Sequence, residues 1–173
     1  SLKINNILDQ AMSAHKAGKL DYAKSLYSDI LIIQSKNYDA MHMLGILLFQ
    51  EGNFKQANEL LKSAQEINAK DPRLLYNLGL VCYELEAYED AVGYYLKSIA
   101  TNNDSREAYS NLGSAYKKLG KFTQSIAAFD KAISIDPRKE DDYSNLASIY
   151  IDLRKYSEAI TLCQKSLSIN SKF

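Results

Sequence analysis

Residues 106–139 read REAYSNLGSAYKKLGKFTQSIAAFDKAISIDPRK. Apolar side chains with helical spacing form two stripes in this segment, and the first consists of Tyr109, Leu112, Gly113 and Tyr116. The second stripe consists of Phe122, Ile126, Phe129, Ile133 and Ile135. Gly120 lies between the stripes, and Pro137 follows the second one, where a helix cannot easily continue. The segment therefore predicts two α-helices joined by a short turn.

The same pattern recurs along the chain with a period of 34 residues. One series holds the small residues Ala11, Gly45, Gly79, Gly113 and Ala147. The other three series are Ala23, Ala57, Ala91, Ser125 and Ala159; Leu20, Phe54, Tyr88, Phe122 and Tyr156; and Leu44, Leu78, Leu112 and Leu146. Because the four series share one period, we predict a single all-α domain over residues 4–173. Its five repeats are expected at residues 4–37, 38–71, 72–105, 106–139 and 140–173.

These repeats resemble those of the tetratricopeptide repeat (TPR) family. The fourth carries Tyr109-x2-Leu112-Gly113-x2-Tyr116, Ser125-x3-Phe129 and Pro137, with Tyr in place of the family's Trp. The second, third and fifth carry the related patterns Met41-x2-Leu44-Gly45-x2-Leu48, Leu75-x2-Leu78-Gly79-x2-Cys82 and Tyr143-x2-Leu146-Ala147-x2-Tyr150. The first repeat departs most, with polar Gln10 at the Leu position, as is expected of a terminal repeat. The resemblance covers residues 4–173 and implies a right-handed α-solenoid of stacked antiparallel helix pairs, the TPR superhelix.

Three of the small residues, Gly45, Gly79 and Gly113, are predicted to have a packing role. They lie inside helices, where glycine costs about 0.5–1 kcal/mol relative to alanine. That cost is offset if the second helix of the repeat crosses at this point and leaves no room for a side chain. We therefore expect close contact between the two helices of each repeat.

The sequence lacks the motifs that carry catalysis or cofactor binding. G-x-G-x-x-G, G-x4-G-K-[ST], H-E-x-x-H, C-x-x-C and G-x-S-x-G are all absent. His15 and His42 lie in different repeats, so they are not expected to share a metal ion. Cys82 and Cys163 occupy core positions of their helices and are expected to be buried. We therefore expect a chain that is not an enzyme and that binds no cofactor or metal.

Composition and charge narrow the classes of partner. The chain has 21 Lys and Arg against 21 Asp and Glu, a net charge of zero, which argues against a general nucleic-acid binder. No apolar run approaches the roughly 18 residues of a membrane-spanning helix, so membrane insertion is not expected. The low cysteine content favours a reducing compartment, and a cytoplasmic location is the default expectation.

The first helices of the repeats carry the candidate binding surface. Repeat positions 2, 5, 6, 9, 12 and 13 lie opposite the core stripe at 100° per residue. In TPR proteins this side lines a concave groove that receives peptides, and the resemblance implies the same here. Position 6 holds Asn77, Asn111 and Asn145 in the last three repeats, a possible ladder of amides for a peptide backbone. Alternatively, these amides only form hydrogen bonds to neighbouring helices.

The remaining groove positions divide into an apolar and a polar half. Repeats one to three contribute Leu8, Met12, His42, Met43, Ile46, Phe49, Tyr76, Leu80 and Tyr83. Repeats four and five contribute Glu107, Ser110, Ser114, Lys117, Lys118, Asp141, Ser144, Ser148 and Asp152. The predicted peptide-binding residues are Asn77, Asn111, Asn145, Met43, Ile46, Phe49, Tyr76, Leu80, Tyr83 and Lys117. An apolar surface of this kind predicts a partner segment, and self-association is the alternative.

Three functional hypotheses follow from these features. The first is an interaction module or scaffold that binds a protein or peptide in its groove. The second is a non-catalytic recruiting region of a larger enzyme such as a bacterial O-linked sugar transferase, which the opening segment at residues 14–20 resembles. The third is a self-assembling scaffold.

Groove positions 5 and 9 hold no basic residue, so a clamp for chaperone carboxylates is not expected. No polar helix follows the stripe of Ile160, Cys163 and Leu167, which suggests a segment cut at a repeat boundary.

Overall fold

The structure is a computed structural model that describes residues 2–170. Ten α-helices and no strands occur within those residues. They are α1 (Leu2–Lys16), α2 (Leu20–Ile33), α3 (Tyr38–Gln50), α4 (Phe54–Ile67), α5 (Pro72–Glu84), α6 (Tyr88–Thr101), α7 (Arg106–Lys118), α8 (Phe122–Ile135), α9 (Glu140–Asp152) and α10 (Tyr156–Asn170). The all-α prediction is therefore confirmed, and the last three residues of the predicted fifth repeat lie outside the described residues.

The helices group into two compact units, Ser1–Glu86 and Ala87–Phe173. Unit 1 contains α1 to α5, and unit 2 contains α6 to α10. Within each unit every helix packs against the next one in the chain. The first helices of neighbouring repeats also contact each other, α1 with α3 and α3 with α5 in unit 1, and α7 with α9 in unit 2. Within each unit, this stacking places the predicted groove positions of contacting first helices side by side.

Side-chain caps fix where several of the first helices begin. The Asn37 side chain accepts a hydrogen bond from the Ala40 backbone N–H at 2.9 Å, and Ser105 accepts one from Ala108 at 3.3 Å. Asp71 accepts one from Arg73 at 2.8 Å, and Pro72 occupies the first turn of α5. Each cap satisfies a backbone donor that has no partner inside the helix.

The turn between the two helices of a repeat always contains a residue with positive φ. Gly18, Gly52 and Gly120 have φ of +73°, +78° and +68°, and Gly120 was predicted to separate the two helices of its repeat. Glu86 and Arg154 hold the equivalent positions with φ of 59° and 60°. The left-handed conformation is therefore part of the repeat geometry, and the chain adopts it even where the residue is not glycine.

Close packing is confirmed at two of the central glycines, Gly45 and Gly113. A Cβ placed on Gly113 would lie 2.8 Å from the ring of Phe129, and one on Gly45 would lie 2.5 Å from Leu61 Cδ2. In both repeats the obstacle is a buried side chain of the second helix. The Ser125 hydroxyl adds a buried hydrogen bond to the Gly113 carbonyl oxygen at 2.6 Å. The small residue thus lets the two helices of the repeat approach each other.

One expectation about the cysteines is wrong. Cys82 is buried, but Cys163 is exposed. Cys163 lies on the outer face of α10 with Ile160 and Leu167, which are also exposed. A residue at a core position of the repeat is buried only where a following helix covers it, and no helix within residues 2–170 covers this face.

Candidate functional site

In unit 1, α3 and α5 border a narrow and mostly apolar pocket, whose accessible volume of about 10 Å³ holds no more than a water molecule, so a ligand would contact its rim. Ile46 and Phe49 contribute from α3, and Asn77 and Leu80 from α5. Leu61 and Val81, both fully buried, complete the lining. The four side chains named first are half-buried, which leaves part of each accessible to a ligand. The structure therefore brings together four of the ten predicted binding residues.

The Asn77 amide is held by a histidine of the preceding repeat. Asn77 Nδ2 donates to His42 Nε2 at 2.9 Å. His42 is only 6% exposed, which corrects the expectation that it lines the groove surface. Burial lowers the pKa of His42, and the neutral imidazole can accept this hydrogen bond. The Nδ2 end of the Asn77 amide therefore forms a hydrogen bond to a side chain of α3, and the Oδ1 end is partly accessible.

Further polar contacts join the start of α3 to the start of α5. The Tyr38 hydroxyl donates to Asp71 Oδ2 at 2.7 Å, and the Tyr38 ring lies 5.7 Å from that of His42. Burial and the bond to Asp71 raise the pKa of Tyr38. Burial alone would raise the pKa of Asp71, but the bonds from Tyr38 and Arg73 lower it overall. Asp71 therefore links the two helices as a charged carboxylate.

In unit 2, the equivalent surface on α7 and α9 is polar. Lys117 Nζ donates to Ser148 Oγ at 2.7 Å and lies 3.8 Å from Asp152 Oδ2. Asn111 on α7 and Asn145 on α9 are half-buried. The side-chain amide of Asn145 has no hydrogen-bond partner among residues 2–170. Because Asn77 belongs to unit 1 and the other two amides to unit 2, the predicted ladder stays a prediction.

The remaining predicted groove residues are partly accessible on their helices. Met43 on α3 and Tyr76 and Tyr83 on α5 are half-buried. Leu8 and Met12 on α1 are half-buried as well. The apolar surface is therefore less exposed than the sequence suggested.

A buried ion pair between α7 and α9 was not predicted from the sequence. Arg106 Nη1 lies 2.7 Å from Asp142 Oδ2, and the Asp142 side chain is fully buried. Burial alone would lower the pKa of Arg106, but its bond to Asp142 raises it overall. The signal was available: Asp142 replaces Ala40, Leu74 and Ala108 of earlier repeats, all fully buried. A charge in a buried apolar series requires a partner.

Neither metal coordination nor membrane crossing has a structural basis in the described residues. Residues 2–170 hold no group of three or more His, Cys, Asp or Glu side chains arranged to bind a metal ion. Across the same range, every helix is too short or too polar to traverse a lipid bilayer.

Family models match most of the chain. Models described as tetratricopeptide repeat match residues 107–139 and 143–173, and one described as TPR repeat matches residues 79–120. A model of anaphase-promoting complex, cyclosome, subunit 3 matches residues 19–98. The chain belongs to the tetratricopeptide repeat family. No curated protein sequence matched this TPR chain.

Solved TPR structures superpose on nearly the whole chain. A crystal structure of MamA is 25% identical, covers 94% of this chain and 95% of its own, and has a TM-score of 0.87. Residues 41 to the end of MamA from Desulfovibrio magneticus are 17% identical, with coverage of 99% and 97% and a TM-score of 0.93. YrrB, described as a TPR protein with an unusual peptide-binding site, is 21% identical, with coverage of 94% and 84% and a TM-score of 0.83. These similarities confirm the predicted α-solenoid fold.

Proposed function

We propose that this TPR chain is a protein-interaction module that binds an extended peptide or partner segment on its first helices. The observation that carries the proposal is the half-buried apolar surface that Ile46 and Phe49 of α3 and Leu80 of α5 form beside Asn77. Apolar contact area with a few placed polar groups is the usual composition of binding surfaces. The peptide-binding site named for YrrB supports the same use of the fold.

An apolar side chain of the partner would provide the main anchor in unit 1. Burying one aliphatic side chain contributes about 1.5–3 kcal/mol, more than the roughly 0.5–1.5 kcal/mol of a single hydrogen bond. Apolar contact with Ile46, Phe49 and Leu80 therefore dominates the affinity. The Asn77 amide adds orientation, because a peptide backbone presents donors and acceptors regardless of its sequence.

The polar surface of unit 2 would bind a segment of different chemistry. Asn111, Asn145 and Lys117 offer hydrogen-bonding groups there. The Lys117 ammonium already contacts Ser148 and Asp152, so its charge is partly compensated. A neutral polar segment suits this surface better than a strongly charged one.

The proposal is tested by selecting peptides from a random library on the intact chain. We expect the selected peptides to share an apolar residue. The change Leu80→Ser should weaken their binding by about 10- to 150-fold, because it removes most of the anchor's contact on one side of the pocket. Isothermal titration calorimetry measures the affinities.

The matched control is Ile32→Ser, which changes an apolar residue that is 82% exposed on α2. This variant should bind like the wild type. Equal binding by the Leu80 and Ile32 variants would contradict the pocket as the anchor site. A library that yields no peptide would contradict the proposed function itself.

A further inference from the structure

The turns between the two helices of the fourth and fifth repeats are rich in basic residues. Residues 117–121 and 151–155 together hold five basic side chains and one acidic side chain, Asp152. The corresponding residues of the second and third repeats, 49–53 and 83–87, hold three Glu and no basic residue. The geometry of the turn therefore does not require positive charge, and its concentration at these two turns points to a role outside the fold.

The two basic turns lie at the same edge of unit 2. At the start of α7 and α9, Arg106 Nη1 lies 2.7 Å from Asp142 Oδ2, and at their ends Lys117 Nζ lies 3.8 Å from Asp152 Oδ2. The two helices therefore run side by side in the same direction, and the turns that follow them are neighbours. Packed helices have axes about 8–10 Å apart. We call this surface the basic edge; it consists of Lys117, Lys118, Lys121, Arg154 and Lys155.

Three of these charges are available to a partner. Lys118, Lys121 and Arg154 are exposed, and none of them forms an ion pair within residues 2–170. The start of α8 adds to the positive potential, because its N-cap provides no side-chain hydrogen bond and its first turn has no acidic residue. An anionic ligand would therefore be attracted to both turns.

The other two basic residues of this edge are partly compensated. Lys117 lies beside Asp152, and Lys155 attracts Glu158 in the first turn of α10. The Lys155 ammonium also lies 5.9 Å from the centre of the Tyr150 ring. The charge that a partner meets therefore comes mainly from the three exposed and unpaired residues.

We propose that the basic edge of unit 2 binds a short acidic segment of a partner protein, at a site distinct from the apolar surface of unit 1. Two turns about 10 Å apart match carboxylates spaced along an extended chain, which rises about 3.3 Å per residue. A nucleic-acid backbone presents a continuous line of phosphates and requires a longer basic surface. Because exposed ion pairs are individually weak, the edge selects the charge of the partner and speeds its association.

The test uses the whole chain and a fluorescein-labelled peptide of alternating Glu and Ser, with a Gln and Ser peptide as the uncharged probe. Fluorescence anisotropy at about 50 mM salt measures binding while exposed charges are only weakly screened. The Glu peptide should bind more tightly than the Gln peptide. Combining Lys121→Glu with Arg154→Glu should weaken its binding by about 10-fold, because two attractions become repulsions.

The matched control combines Lys131→Glu with Lys165→Glu, which reverses two exposed lysines on α8 and α10 away from the turns. It changes the net charge by the same amount, and it should weaken binding by less than about 2-fold. Equal weakening in the two double variants would overturn the inference, because the attraction would then reflect net charge alone. Equal binding of the Glu and Gln peptides would also overturn it.

A further variant, Arg154→Gly, separates binding from folding. Arg154 has φ of 60°, a conformation that favours glycine, so this variant should unfold at no lower urea concentration than the wild type. Its binding of the Glu peptide should weaken by about 3-fold, since one unpaired charge is lost. Unchanged binding in this variant would contradict the proposal.

A single-stranded oligonucleotide with the same number of charges tests the alternative ligand. We expect it to bind no more tightly than the Glu peptide. Tighter binding by the oligonucleotide that is lost in the Lys121 and Arg154 double variant would show that the basic edge binds nucleic acid, and would overturn the assignment to an acidic protein segment.

Discussion

At the scale of single residues, the polar contacts of unit 1 surround one buried histidine. His42 accepts from Asn77 at 2.9 Å and packs against the Tyr38 ring, which in turn is linked to Asp71. Such a group is stable in the interior only while it is neutral and hydrogen-bonded. The same side chain therefore connects the stability of the α3–α5 contact to the accessible amide of Asn77.

We expect acid to destabilise the fold through His42. Burial lowers its pKa from 6.5, and Arg73 acts in the same direction, while Asp71 and Asp39 oppose the shift without reversing it. Below pH 6.5 the unfolded chain therefore binds more protons than the folded one, so the free energy of unfolding decreases as the pH falls. Urea unfolding between about pH 7 and pH 5 measures this loss.

The control for this titration is His42→Gln, which keeps a hydrogen-bond acceptor and does not titrate. Its free energy of unfolding should still decrease over the same range, because the other titrating groups are unchanged. The decrease should be smaller than in the wild type, because residue 42 no longer takes up a proton. Identical pH dependence in the two proteins would show that His42 does not titrate with a lowered pKa in the folded chain.

At the scale of helices, the spacing of each repeat depends on one small residue where its two helices cross. The ring of Phe129 occupies the space that a Gly113 side chain would need, and Leu61 does the same at Gly45. Gly93, in contrast, lies inside α6, and a methyl group added there would have no neighbouring atom within 4 Å. Packing therefore requires glycine at Gly45 and Gly113, but it does not require glycine at Gly93.

The change Gly113→Leu should destabilise the chain by about 1–3 kcal/mol, because a larger side chain must displace Phe129. Urea denaturation followed by circular dichroism measures the difference. The matched control is Gly93→Ala, which should stabilise the chain by about 0.5–1 kcal/mol, since helix propensity improves without a clash. An unchanged midpoint in the Gly113 variant would contradict the observed helix crossing.

Most of this element-level geometry could be predicted from the sequence, because the 34-residue period places equivalent side chains at equivalent points. The turns were recognisable where Gly18, Gly52 and Gly120 mark them. The exposed position of Cys163 was missed because its burial was predicted from its repeat position alone, although the sequence shows no polar helix after its stripe. The bond between Asn77 and His42 was missed for a different reason, since it depends on the side-chain conformations of two packed helices.

At the scale of the whole molecule, the two units present different chemistry on their first helices. Unit 1 offers half-buried apolar side chains and the half-buried amide of Asn77, and unit 2 offers Asn111, Asn145 and Lys117. The division into an apolar and a polar surface could be predicted from the repeat positions alone. The degree of exposure could not, because it depends on how closely neighbouring helices pack.

Another apolar surface competes with the pocket as a place for a partner. Ile160 and Leu167 on the outer face of α10 are 58% and 69% exposed, more than any lining residue of the pocket. A partner that binds by apolar contact alone could use either surface. The proposed function requires the peptide to bind in the pocket beside Asn77, so a decisive experiment must distinguish these two locations.

NMR of methyl and side-chain amide groups during titration with a selected peptide distinguishes them. We predict that the largest shifts occur at the methyl groups of Ile46 and Leu80 and at the side-chain amide of Asn77. The methyl groups of Ile160 and Leu167 should remain unchanged. Shifts confined to Ile160 and Leu167, with the pocket unaffected, would show that the peptide binds elsewhere and that the proposed site is wrong.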